Sequence, residues 1–189
     1  MTTATVSVVR SRERIPSGAL GMAIFVASET MLFMGFISAF NIVKAGSINW
    51  PPANQPRLPV EITGVNTLFL LLSGLCLFLS YKSYKNSKSF EKTFLCSVLL
   101  GIVFIAIQGY EWMNLLGHGL TLTSSNYGGF FYLIIGSHAI HAFFALLLML
   151  KVYFQRKQSE KLKRGFLTIQ VFWYFVVGMW PLLYVAVYL

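Results

Sequence analysis

Acidic and metal-binding side chains are scarce in this sequence: 189 residues carry six Asp or Glu, three His and two Cys. That set is too small for a haem and a copper centre to be built from this chain's own side chains. Cys76 and Cys96 both lie in apolar stretches, which argues against a structural disulfide or a thiolate metal pair. There is no internal repeat, no low-complexity segment, no activated nucleophile and no phosphate-cradling loop. The formal charge of +9 comes without a basic groove interleaved with aromatics, so nucleic acid is not an expected partner.

What the chain has in quantity is apolar sequence, 56% by composition. It falls into five runs, about 18–43, 62–81, 94–116, 129–152 and 167–189. Each reaches the roughly 20 residues that a helix needs to cross a ~30 Å hydrocarbon layer. The expected fold is all-α: a polytopic membrane protein built as a bundle of five transmembrane helices, with residues 1–17 as a tail and 18–189 as one domain. Charge sets its orientation. Arg10, Arg12 and Arg14 precede the first run, Lys82, Lys85, Lys88 and Lys92 separate the second from the third, and Lys151, Arg156, Lys157, Lys161, Lys163 and Arg164 surround the fourth connection. Only Lys44 and Arg57 fall on the other side. The positive-inside rule then puts the N-terminus in the cytoplasm and the C-terminus outside, in the cell inner membrane. The arginines of the tail resemble those of a secretory leader, but the apolar run that follows is too long for one and contains Glu29, so it is expected to be retained.

The connection from Lys44 to Glu61 holds Trp50-Pro51-Pro52, Pro56 and Pro59. It cannot be helical and should fold back with its indole at headgroup level. The connection 117–128 has no charged residue. It reads either as a segment that lies against a partner or the interface, or as a plain polar turn.

Ionisable groups inside the apolar layer are where chemistry would reside. Glu29 lies about eleven residues into the first span, near mid-membrane. A carboxyl there must be protonated, paired or wetted, and usually faces the bundle interior. Gln108 and Glu111 share a face toward the outer end of the third span, as His138 and His141 do on the fourth. Because the fourth span runs inward, His138 reaches about the depth of Glu29, and a Glu29–His138 contact or water bridge is geometrically possible without being fixed by the sequence. The bland reading of each group is a hydrogen-bonded link between helices. A metal role finds no support, since Glu-x-x-His pairs on facing helices are missing, two histidines on one face cannot grip a haem from both sides, and His118 sits in the uncharged loop.

Nearly the whole chain resembles a known family. Ser28-Glu29-Thr30-Met31-Leu32-Phe33 with Phe36 and Ala39-Phe40; Trp50-Pro51-Pro52 and Pro59 with Asn66-Thr67 and Ser73; Gln108, Glu111 and Trp112; Tyr127-Gly128, Phe130-Phe131 and Gly136-x-His138-x-x-His141; and Trp173-x-Phe175 with Trp180 and Leu183-Tyr184-Val185 are similar, in order, to segments of subunit III of the haem–copper respiratory oxidases. Two departures stand out. The family's last helix commonly reads Trp-His-Phe-Val-Asp, where this chain has Tyr174 and Val177 at the His and Asp positions. Many members also have two more helices ahead of the first span seen here.

The resemblance implies a non-catalytic accessory subunit of a terminal oxidase of the cytochrome c oxidase type, acting in aerobic respiratory electron transport. Haem and copper would sit in the partner catalytic subunit I, with subunit II and other respiratory components nearby and structural phospholipid bound. It implies support of proton uptake, oxygen access, lipid binding and stability, with Glu29 as the proton-related candidate. His138, His141, Trp50 and Trp180 are the lipid or helix-contact candidates, Gln108 and Glu111 form a second polar cluster, and no residue is a catalytic or metal candidate. Two alternatives are an accessory subunit of a nitric-oxide-reducing complex and a stand-alone transporter or proton-conducting protein. Inverted repeats and paired interrupted helices, which would favour a transporter, are not seen.

Overall fold

The computed structural model describes residues 17–189 apart from 53, 54, 88 and 158, and the side chains of 159–161 are likewise outside the description. The expectations placed on Arg10, Arg12, Arg14 and Lys88, and on the Lys161 side chain, therefore fall outside the described residues. All regular structure described is helical: α1 Ser17–Ala45, α2 Val60–Lys85, α3 Glu91–Gly117, α4 Asn126–Phe154 and α5 Ser159–Leu183, which passes into a π-helical turn, Tyr184–Tyr188. Among the described residues five helices are long and apolar enough to cross a membrane.

The helices outrun the apolar sequence, most of all at the start of α5. There Leu162 and Phe166, one turn apart, are buried, and the Phe166 ring packs against Tyr81, Tyr84, Phe90 and Phe94. Two apolar residues at i, i+4 suffice to dock an otherwise basic turn. At that same end Arg156 approaches Glu91 at 3.6 Å and lies over the Tyr153 ring. The opposite end is closed by the connection from α1 to α2. Its Trp50 meets Phe40 and Tyr127 edge to face, with centroids 5.4 and 5.2 Å apart. The 117–128 segment is a turn folded onto α4: Leu120 is buried, its carbonyl accepts from the Tyr132 hydroxyl, and Ser125 caps α4 by accepting from the Gly128 N–H.

Lipid tails are as apolar as leucine, so helices within a bilayer associate through close packing and hydrogen bonds. The α2–α3 seam shows both. Ser73 and Ser97 each donate to the other's carbonyl oxygen at 2.7 Å. Farther along α3, a Cβ placed on Gly101 would stand 2.9 Å from Leu146 and Trp173, so only glycine permits the approach of α3 to α4 and α5. Helix α5 is the central wedge: Trp173 and Trp180 are fully buried, and their indoles donate to Ser73 Oγ at 3.1 Å and Thr67 Oγ1 at 2.9 Å. Helix α1 stands at the edge, packed chiefly on α5 and α4, with Ile24, Met31, Met34 and Ile42 exposed.

Candidate functional site

Glu29 lies twelve residues on from Ser17, and His141 thirteen before Phe154. At 1.5 Å per residue these are about 18 and 20 Å from the same end of the bundle, whereas His138 is about 24 Å away. His141 is thus the residue level with Glu29, and its Nε2 lies 3.1 Å from Glu29 Oε2. The Glu29–His138 contact that the sequence allowed is not the one formed, and Glu29 meets His141 instead. Counted from the edges of the apolar runs, Glu29 and His141 are each eleven residues in and His138 fourteen, so matching His138 to Glu29 goes one turn too far from that end.

The ring's other nitrogen fixes its chemistry. His141 Nδ1 is 2.7 Å from the Ser137 carbonyl oxygen, which can only accept, so Nδ1 carries a hydrogen. Nε2 is then the ring nitrogen that faces the Glu29 carboxyl. The 3.1 Å approach is off hydrogen-bond alignment, and Oε2 has no aligned donor. Phe25, Phe33, Phe172 and Phe175 surround the imidazole, with centroids 5.5 to 6.2 Å away. The two polar side chains remain 15% and 18% exposed. The pair therefore lies open at one edge of an apolar aromatic cage.

A second group lies toward the far end, between α2, α3 and the π-turn. Gln108 Nε2 donates to Glu111 Oε2 at 2.9 Å and lies 3.2 Å from the Tyr188 hydroxyl. Thr63 Oγ1 is 2.9 Å from both Glu111 Oε2 and the Pro59 carbonyl oxygen. One hydroxyl proton cannot serve both acceptors. Either Thr63 donates to Glu111, or a protonated Glu111 donates to Thr63 while Thr63 donates to Pro59. The cluster can thus take up a proton without moving a heavy atom. Thr63 and Tyr188 were not identified from the sequence. Thr63 offered a signal, one turn from Asn66 in an apolar helix, but Tyr188 enters only because the π-turn rotates it inward beside Tyr184.

The remaining candidates are placed by burial. Trp180 and His138 are inside the bundle, 0% and 1% exposed, and their rings tilt together with centroids 5.0 Å apart. Of the two roles considered for them, this leaves helix contact, since neither reaches the surface where a lipid headgroup would lie. Trp50 is partly exposed at the end of the bundle, over Phe40 and Tyr127.

The family model described as cytochrome c oxidase subunit III matches residues 11–189. The chain belongs to the cytochrome c oxidase subunit III family. It is 30% identical over 175 residues to cytochrome c oxidase subunit 3 of Synechocystis sp., which spans 89% of this chain and 74% of that protein. Against the probable cytochrome c oxidase subunit 3 of Mycobacterium leprae it is 28% identical over 192 residues, 98% and 94% of the two chains. The Rattus norvegicus protein is 30% identical over 183 residues, 89% and 67%. The chain is accordingly an accessory subunit III of a haem–copper oxidase and a multi-pass membrane protein.

For a subunit III, the two departures on the last helix have clear local consequences. Val177 packs directly on the face of α2, its Cγ1 3.0 Å from where a Cβ on Gly74 would stand, so this seam is apolar. The Tyr174 hydroxyl accepts from Gln170 Nε2 at 3.2 Å on its own helix. Among the described residues no three of His, Cys, Asp and Glu gather as a ligand set, and His141 is already engaged by Glu29 and Ser137.

Proposed function

We propose that this chain is the non-catalytic subunit III of a terminal oxidase in aerobic respiration, seated beside a haem- and copper-bearing subunit I together with subunit II. It lies in the cell inner membrane with its N-terminus in the cytoplasm, and it holds structural phospholipid on the exposed faces of its helices. Its functional group is the Glu29–His141 pair, which supports proton delivery to the catalytic subunit.

The observation that carries this reading is the juxtaposition of Glu29 and His141. Acid and base stand 3.1 Å apart, about 18–20 Å from the basic end of the bundle, in an apolar cage open at one edge. A carboxyl in such surroundings is costly unless it has a partner, and a partner that can exchange a proton makes the pair a reservoir rather than a strut. The aromatic rings keep the imidazole oriented and limit water, while the exposed edge lets a proton pass to a neighbouring subunit.

The test is Glu29→Gln in the complex purified through this chain. The amide retains the size and hydrogen-bonding atoms of the acid but cannot release the proton. Assembly and the visible spectrum should be unchanged, while turnover slows or inactivation during continuous turnover quickens. Full and sustained activity of a well-assembled variant overturns the proposal and leaves Glu29 as a packing residue.

A further inference from the structure

Ser73 and Ser97 bind α2 to α3 inside the bundle, and the outward side of the same seam carries the chain's two cysteines. Cys76 lies one turn after Ser73 and Cys96 directly before Ser97, and their Sγ atoms stand 3.8 Å apart, in contact as free thiols. The serines are fully buried, whereas Cys76 is partly exposed and Cys96 exposed. The surface around the thiols is apolar: Leu72 and Leu79, one turn to either side of Cys76, and Leu99, one turn beyond Cys96, are all exposed. Cys76 is nine residues before Lys85, so the pair lies about 14 Å from the basic end of the bundle, within the apolar layer.

Both cysteines are free, so no standing disulfide joins the helices, yet contact between the sulfurs allows one to form. A disulfide needs its sulfurs at about 2.05 Å. The serine bonds hold the two backbones together, so the remaining approach falls to the thiols, each of which turns about a single side-chain torsion. Their unequal exposure divides the work. The exposed thiol meets an oxidant, and the inner one stands ready to resolve the product. Position selects the oxidant. These thiols face acyl chains, so the oxidant they meet at the highest local concentration is one carried by lipid, and the peroxidised form of an unsaturated acyl chain is a hydroperoxide.

We propose that Cys76 and Cys96 form a redox pair that closes to a disulfide on reaction with a lipid hydroperoxide. The Cys96 sulfur attacks the O–O bond and becomes a sulfenic acid, while the lipid leaves as an alcohol that carries the thiol proton. The Cys76 sulfur then displaces the hydroxyl, which departs as water with the Cys76 proton as the S–S bond forms. The two thiols lose two electrons in all, and these reduce the peroxide bond. The product ties α2 to α3 across the outward side of their seam, beside the serine pair, and a thiol reductant reopens it.

The test treats membranes holding the intact complex with cumene hydroperoxide, alkylates the remaining thiols and reads the peptides of this chain by mass spectrometry. In the wild type both cysteines should escape alkylation together, joined as one peptide pair lighter by two hydrogens, and dithiothreitol should restore both. Cys76→Ala leaves Cys96 without its resolving partner, so sulfenic acid should accumulate there and be captured by dimedone. In Cys96→Ala the Cys76 thiol should stay alkylatable. Should an alanine variant fail to assemble, the wild-type link and its reversal still decide the matter. Wild-type thiols that stay free, a Cys96 acid that accumulates without the link to Cys76, or an equally rapid loss of the Cys76 thiol in Cys96→Ala overturns the proposal.

Discussion

Two side chains in direct contact that serve one step are coupled, so their substitutions should not add. If Glu29 and His141 work together, Glu29→Gln and His141→Gln should each slow turnover of the complex by a similar factor, and the double variant should be no slower than either alone. Steady-state oxygen consumption by the four complexes reads this out. A double variant whose loss is the product of the two single losses would show that they act separately. At the other group, Tyr188→Phe removes the oxygen 3.2 Å from Gln108 Nε2 but leaves Glu111 its Thr63 and Gln108 contacts. Intramembrane hydrogen bonds average about 0.6 kcal/mol, so this change should lower the thermal dissociation temperature of the complex only slightly. Glu111→Leu removes the acceptor that Thr63 and Gln108 share, and should lower it much further.

Between helices, the unit of cohesion is the seam where α2, α3 and α5 meet. Ser73 Oγ donates to the Ser97 carbonyl and accepts from Trp173 Nε1, whereas Ser97 Oγ donates only to the Ser73 carbonyl. Ser73→Ala should therefore destabilise the detergent-solubilised subunit more than Ser97→Ala, by about 1 kcal/mol or less, and leave the buried indole N–H unpaired. Gly101→Leu should be far worse, because the new side chain would enter space held by Leu146 and Trp173. Loss of the subunit from the purified complex is the readout. The five helices themselves were legible in the sequence, because crossing a bilayer demands length and hydropathy and little else. The Gln108–Glu111 contact was legible too, since i, i+3 spacing on one helix fixes a neighbour without tertiary information. The rotation of facing helices was not. Hence the choice of His138 over His141 for Glu29, and the silence about Tyr188, whose position depends on a local change of helical pitch after Pro181.

Over the whole molecule, charge sorts the two ends. Lys82, Lys85, Lys92, Lys151, Arg156 and Arg164 flank one end, and Lys44 and Arg57 the other. A reporter placed near Lys88 should be cytoplasmic and one fused after Leu189 external, as accessibility labelling in whole cells would show. The subunit separated from its complex should be colourless and free of stoichiometric iron or copper by metal analysis, while the intact complex carries the haem spectrum. The edge position of α1 bears on how such a chain is made. Its helix contacts are chiefly with α5 and α4, yet it leaves the ribosome ahead of both. Until those helices are inserted, Glu29 has no imidazole beside it, and a nascent α1 must wait in the bilayer with its carboxyl exposed to lipid or to the insertion machinery. A quality-control protease that surveys unpaired polar spans would find its target in that interval, so His141→Leu should increase degradation of newly made chains even where the mature fold can still form.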